Sequence, residues 1–388
     1  MQNAEVFSQF TTSSFLDEID STMLMGIDEN VFPGACLLVG QNGKVIYNKA
    51  FGFLSNEANS SRTKVTTGTV YDLAGITGSL VTTTLIMLLV EKGRLKLEDK
   101  VSRYLQSFSV HGKSPITIKH LLNQTSGLVA WHPFYEEILK ADTGARKGII
   151  ANRVSKEFVI NSINRMVLKQ KPGKKEEYSD LNFMILGFII EILTGMSIER
   201  AAQKMIFNPL GMRDTGFIDL SMLKRRGVLP IQDIIAPTEK CSWRNKVIHG
   251  EVHDDNTWAM GGIAGHSGLF SNASDIHKIL SELLRAYAGN STFLRAATVR
   301  RFFEKSSNGE TCWSLGWENP SEWNAMNQAA FSDCVVGRSG FTGCSVWLEP
   351  TRGLDFILLS NRVNPTRANK KIKDFIPQIV NTVLRLVD

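Results

Sequence analysis

The sequence has few of the features that mark exported, membrane-spanning or metal-knuckle proteins. Its five cysteines (Cys36, Cys241, Cys312, Cys334 and Cys344) are an odd number in 388 residues, with no C-x-x-C pair. Neither a disulfide framework nor a thiolate metal site is expected from them, and a reducing cytosol suits them better. Cys36 and Cys344 stand in apolar stretches and read as small core residues. The opening "MQNAEVFSQFTTSSFLDEID" has no basic region followed by an apolar one, so it is not read as a secretory signal. The longest apolar runs, "LIMLLV" (85–90) and "FMILGFII" (183–190), are too short to span a bilayer and predict buried helices. Internal repeats and low-complexity tracts are absent. The net charge is +6, but its basic clusters, "KQKPGKK" (169–175), "KRR" (224–226) and "NKKIK" (369–373), are scattered. No zinc-finger or RNA-binding signature accompanies them, so solvated surface is expected rather than a nucleic-acid partner. These absences together predict a cytoplasmic protein with no transmembrane segment and no cofactor.

What is present is an ordinary globular composition, 43% hydrophobic and 21% charged, with length enough for a large core. After a polar N-terminal helix, "GACLLVGQNGKVIYNKAFG" (34–52) alternates apolar and polar residues around an Asn-Gly, which predicts a hairpin. The C-terminal part mirrors it: "GCSVWLEPTRGLDFILLSN" (343–361) predicts a strand pair turning at "PTRG", and "DFIPQIVNTVLRLV" (374–387) an amphipathic closing helix. Strands from both ends are expected in one antiparallel sheet. The middle, roughly 79–215, is helix-rich. "SLVTTTLIMLLVEKG" (79–93) is apolar nearly all round and stops at a glycine, and "EYSDLNFMILGFIIEILTG" (177–195) follows the same design. The expected fold is α+β and a single domain over 1–388. A sheet lobe of about 1–74 and 255–388 holds an inserted helical lobe of about 75–254.

Six stretches, in this order, resemble the serine β-lactamase and penicillin-binding-protein family in its class C β-lactamase, D,D-peptidase and esterase branch. They are "GRLKLEDKVSRYL" (93–105), "ITIKHLLNQTSGL" (116–128), "PGKKEEYSDLNFMILG" (172–187), "NPLGMRDTGF" (208–217), "GGIAGHSGLFSNASDI" (261–276) and "GRSGFTGCSVWLEP" (337–350). The resemblance implies acyl transfer by a serine at the start of the buried helix. A lysine one turn later takes its proton, since i and i+3 share a helix face. A tyrosine from a Y-x-N-like motif helps shuttle the proton, and a K-T-G or H-T-G strand forms the opposite wall. Two backbone N–H groups form the oxyanion hole.

In this chain the expected L-A-S-x-T-K reads "LAGITG" (73–78). Gly75 stands at the nucleophile position and Gly78 at the base position, while Thr77 is kept. "YSD" keeps Tyr178, with Asp180 at the Asn position. The wall triplet is Arg338, Ser339 and Gly340. Ser79 follows Gly78, but one residue turns a side chain by about 100° around a helix, so it is expected to face away from Tyr178. Ser126 and Ser267 are flanked by glycine without completing G-x-S-x-G. Ser267, beside His266, is the best of the alternative nucleophiles. "HDDN" (253–256) has metal-ligand residue types but no second cluster at helical spacing. It reads as a loop at the pocket mouth, and no metal is expected. Trp131, His132 and Tyr135 are candidate cleft residues.

Glycine keeps its backbone N–H, so the amides of Gly75 and Phe341 are expected to point into the pocket still. Covalent chemistry is what has gone: losing a serine nucleophile costs on the order of 10⁶ in kcat. Arg338 adds a fixed cation with a two-pronged fork. The main expectation is a protein of this fold without acyl-enzyme chemistry that binds a small carboxylate or peptide-like ligand. Two others stay open: an active serine hydrolase with an unorthodox nucleophile, and a non-catalytic interaction module with a vestigial cleft. Gly75→Ser with Gly78→Lys is expected to rebuild the pair without loss of stability, because each change removes a helical glycine.

Overall fold

The computed structural model describes residues 16–56, 63–143, 148–305, 313–320 and 332–387. Strands β1 (Gly34–Gln41) and β2 (Lys44–Gly52) form the expected hairpin. Asn42 and Gly43 turn it with φ of 52° and 76°, the left-handed pair that such a two-residue turn requires. Four short strands follow: β3 (Tyr71–Asp72), β4 (Gly216–Phe217), β5 (Lys240–Cys241) and β6 (Lys246–Val247). After them come β7 (Leu269–Ser271), β8 (Val336–Ser339), β9 (Ser345–Glu349) and β10 (Leu354–Ser360). The main sheet is antiparallel in the order β2-β1-β10-β9-β8, so strands from both ends of the chain meet at the β1–β10 pair, with Leu37 opposite Leu358.

The sheet is buried on both faces, which is why β10 reads as a run of apolar residues rather than an alternation. Cys36, Leu38, Val346, Leu348, Ile357 and Leu359 point into the larger core, shared with the helices Gly78–Glu91 and Asp180–Thr194. Leu37, Val39, Trp347, Phe356 and Leu358 point the other way, under the helix over 16–28 and the closing helix Ile372–Val387. Period-two alternation of the strands explains the division. The helix Ala273–Ala288 packs on β1 and β10 from the larger-core side.

Gly78–Glu91 opens with a π-helical segment, Gly78–Thr83, and is followed by Gly93 at φ 66°. Asp180–Thr194 ends on Gly195, also left-handed at φ 66°. Among the described residues no single helix is long and apolar enough to cross a membrane. A bent pair, Asp180–Thr194 with Ile198–Leu210, reaches that composition only jointly, and most of its apolar side chains lie in the core. Cys36, Cys241, Cys334 and Cys344 are free thiols, and burial pushes Cys36 up to about 12. Cys312 lies outside the described residues.

A second, three-stranded sheet, β3-β7-β4, matters most for the site. It fastens the segment entering Gly75 to the segment leaving His266 and Ser267.

Candidate active site

The turn carrying Gly75 is built by Asp72. Its carboxylate accepts the Ala74 N–H at 2.9 Å and the His253 N–H at 2.6 Å, and its carbonyl accepts the Thr342 hydroxyl at 2.6 Å. Ala74 sits at φ 46°, the strained left-handed region, and consecutive i to i−3 bonds from Ile76, Thr77 and Gly78 then start the helix. The Thr77 hydroxyl donates to the Ala74 carbonyl at 2.7 Å and accepts the Leu269 N–H at 3.1 Å. This is a tight, over-determined elbow. Neither Gly75 nor Gly78 has a positive φ, so the backbone itself would admit a side chain at either position.

Space decides otherwise. A Cβ on Gly75 would lie 3.2 Å from Nη2 of Arg338, so the guanidinium stands where a nucleophile would project. A Cβ on Gly78 would lie 2.9–3.0 Å from three ring atoms of Phe183, which is fully buried on the Asp180–Thr194 helix. An aromatic ring therefore fills the space into which a side chain at Gly78 would project. This corrects the expectation that Gly75→Ser and Gly78→Lys could be made together without loss of stability. Arg338 would have to give by a few tenths of an ångström, and the Phe183 ring, closer still, is fully buried in the core.

Arg338 is itself only 4% exposed. Its Nη1 donates to Oε1 of Glu318 at 2.5 Å, and the Ser339 N–H donates to the other Glu318 oxygen at 3.3 Å. Its Cζ lies 4.4 Å from the Tyr178 ring centroid and 4.6 Å from that of Trp313, and these rings stack with centroids 5.5 Å apart. Burial alone would lower the Arg338 pKa; Glu318, Tyr178 and Asp180 outweigh it and leave the pKa raised. The expectation of a free two-pronged anion binder is corrected accordingly: one arm is neutralised inside the protein. Ser339 is corrected too. On a strand, successive side chains take opposite faces, and its hydroxyl lies 3.0 Å from that of Ser345, away from Arg338. Gly340 brings the strand end against the elbow, since a Cβ there would lie 2.5 Å from the Leu73 carbonyl oxygen.

Trp313 and Glu318 were missed by the sequence reading. They flank a turn through Gly316, and Glu318 bridges Gly337 on β8 through two backbone bonds. A buried arginine on a strand demands a counter-charge, but nothing in the sequence says that it comes from twenty residues upstream. The Ser79 hydroxyl donates to the Gly316 carbonyl at 2.7 Å and is fully buried. Ser126 accepts the Leu128 N–H within a turn.

Behind Arg338 lies a second polar group. The Tyr178 hydroxyl donates to Asp180. Burial pushes the Tyr178 pKa well up, and Asp180 adds to it. Asp180 is raised by burial, with His266 and Arg338 opposing. Asp254 caps the helix Asp255–Ala259 by accepting the Thr257 N–H at 2.7 Å, and it lies 3.1 Å from Nε2 of His266. Burial works against the charge on each, but the mutual attraction wins: His266 is held above its usual value and Asp254 well below. Asp180, Asp254 and His266 offer ligand atoms within 4.8 Å of one another. Tertiary packing thus supplies the second cluster that sequence spacing denied to "HDDN". These groups are already engaged, however: Tyr178 bonds Asp180, while Asp254 and Thr257 flank the His266 nitrogen. The three side chains thus belong to two neighbouring hydrogen-bonded groups, Tyr178 with Asp180 and His266 with Asp254 and Thr257. Nδ1 of His266 and Oγ of Ser267 are both buried without a partner among the described residues, so these neighbours form no nucleophile–base bond.

The other "HDDN" residues are buried and engaged by their neighbours. His253 stacks on Phe341 with centroids 5.5 Å apart, and Asp255 pairs with Arg244 at 2.7 Å. Asn256 accepts the Tyr135 N–H and donates to the His132 carbonyl. Trp131 is exposed and follows Ala130, whose carbonyl accepts the Asp180 N–H at 3.0 Å. The N–H groups of Gly75 and Phe341 donate to no described group, and Phe341 is 50% exposed.

The chain as a whole is similar to known proteins. Over 372 residues the chain is 30% identical to an Escherichia coli (strain K12) protein named "Putative D-alanyl-D-alanine carboxypeptidase", covering 89% of this chain and 82% of the relative. A Salmonella typhimurium protein of the same name is 31% identical over 387 residues, covering 93% and 85%. Among solved structures, the octameric penicillin-binding protein homologue from Pyrococcus abyssi superposes with a TM-score of 0.71 at 22% identity, over 95% of this chain and 77% of the other. EstCE1, a hydrolase with promiscuous acyltransferase activity, superposes at 0.72 with 20% identity, over 96% and 100%. The β-lactamase family model matches residues 19–380, and the chain belongs to that family.

Proposed function

We propose that this chain is a non-catalytic member of the β-lactamase family that binds a small carboxylate or peptide-like acid and transfers no acyl group. One observation carries the reading: the guanidinium of Arg338 and the ring of Phe183 occupy the spaces beside Gly75 and Gly78 that a nucleophile and its base would need. Packing beside both glycines supports a site adapted to them over a hole left by two lost side chains. The amides of Gly75 and Phe341 have no partner among the described residues, which leaves two donors for a carboxylate oxygen. Nη2 of Arg338 stands beside the first of them. Glu318 already offsets much of that charge, so the amides are the main attraction and the affinity is modest.

Intact mass after incubation with a fluorophosphonate and with a fluorescent penicillin tests the first half. No adduct is expected, and a stoichiometric mass increase would overturn it and identify the nucleophile. The second half is tested by thermal shift with N-acetyl-D-alanine against its methyl ester. At a hundred times Kd the acid raises stability by about 2.7 kcal/mol. An acid that stabilises no more than its ester removes the ligand but leaves the absence of acyl transfer standing.

A further inference from the structure

The segment between the helix Leu220–Arg226 and β5 presents apolar side chains to solvent in a way nothing at the cleft requires. Val228 is 51% exposed, Leu229 88%, Ile231 71% and Ile234 53%. The segment is held in place. Gly227 caps the preceding helix at φ 65°, and the Val228 N–H donates to the Leu223 carbonyl at 3.2 Å. Nε2 of Gln232 donates to the His249 carbonyl at 3.1 Å, and Nε2 of His249 lies 2.7 Å from the Ile235 carbonyl oxygen. Gly250, at φ 70°, leaves room for Pro230, since a Cβ there would lie 2.7 Å from the proline ring. The Val70 N–H donates to the Ile234 carbonyl at 2.8 Å, and Ile235 is buried against Val70, Val252 and Phe270. One isoleucine anchors the loop inward while four apolar side chains are fixed outward.

Immediately before them stand Lys224, Arg225 and Arg226, all exposed and free of ion pairs among the described residues. The segment has two acidic side chains, Asp233 and a buried Glu239 paired with Arg367 at 2.6 Å, and Lys246, on the adjoining β-hairpin, is engaged by Glu251 at 2.5 Å. We propose that this loop docks the protein on an anionic lipid surface, with Val228, Leu229, Ile231 and Ile234 entering the interface and Lys224, Arg225 and Arg226 meeting the headgroups. Protruding apolar side chains beside a basic collar match the two layers of such a surface. A second copy is the poorer fit. An isologous contact through the same patch would bury the apolar side chains but offer the three cations of each copy only Asp233 as an exposed acidic partner within the segment.

Sedimentation with vesicles tests this. The protein is expected to pellet with phosphatidylcholine vesicles containing about 30% phosphatidylserine, less with phosphatidylcholine alone, and less in about 0.5 M NaCl. Leu229→Ser with Ile231→Ser, both at exposed positions, should lower the partition coefficient about tenfold or more without changing the circular dichroism. Lys224→Gln, Arg225→Gln and Arg226→Gln together should abolish the preference for phosphatidylserine. Failure of the parent protein to pellet overturns the proposal, as does equal pelleting of parent and apolar double variant. A dimer in solution that the apolar variant converts to monomer, without vesicle binding, assigns the patch to self-association instead.

Discussion

Arg338 is the residue on which the site turns, and its neighbours make its energetics testable. It is a cation removed from water, held by one carboxylate and two ring faces. Removing one partner of such a pair leaves an uncompensated charge, so Glu318→Gln is expected to cost about 3 kcal/mol in chemical denaturation. Replacing both, Arg338→Met with Glu318→Leu, should return stability to within about 1 kcal/mol of the parent, because well-packed apolar groups avoid the desolvation cost. Additive losses in the double variant would show that the pair is not the unit described. Gly78 provides the second prediction at this scale. Alanine at a helical glycine normally gains about 1 kcal/mol. Here its Cβ meets the buried Phe183 ring, and overpacking costs about 1–3 kcal/mol, so Gly78→Ala should be net destabilising. Combined with Phe183→Leu it should cost less than the sum of the two single changes.

At the scale of elements, the elbow from Tyr71 to Gly78 is held by bonds from three separate segments. Ala74 is left-handed, with its N–H held by Asp72. A β-branched side chain cannot follow it there, so Ala74→Val is expected to lower stability by about 2 kcal/mol, with Ala74→Gly within about 1 kcal/mol of the parent. Equal effects of valine and glycine, measured by denaturant midpoint, would argue against strain at this turn. The segment 313–318 is the other decisive element. It lies along β8 through the Glu318–Gly337 bridge, and this single register places both Trp313 and Glu318 on Arg338.

At the scale of the molecule, β3-β7-β4 ties the elbow to the His266 segment, so the buried Asp254–His266 pair contributes to global stability with a defined pH dependence. His266 is raised in the folded state. Its contribution is therefore whole below about pH 6.5, the ordinary histidine value, and is lost as pH rises through the higher folded value. Asp254 is depressed, so its share is present above about pH 4 and is lost as pH falls through its folded value. The melting-temperature gap between parent and His266→Gln should be widest between about pH 4 and 6.5 and narrow above it. A gap unchanged up to pH 9 would mean that His266 is neutral in the fold.

Local pattern determined a good deal of this protein. Asn42-Gly43 fixes a hairpin because only a left-handed pair turns it, and the apolar runs at 85–90 and 183–190 have to be buried because water rejects them. The order of six short stretches determined the family and hence the antiparallel sheet shared by both ends of the chain. Gly75 and Gly78 were legible as missing side chains. What now fills their spaces was not, because volume is a property of packed neighbours: Phe183 is 105 residues from Gly78 along the chain, and Arg338 is 263 from Gly75. Glu318 was invisible as the counter-ion of Arg338, and Asp254 as the partner of His266, because pairing across 20 and 12 residues leaves no periodic trace. Charges and volumes are settled by distance in space, and only the tertiary structure turned Arg338 from a ligand for anions into a buried ion with its own carboxylate.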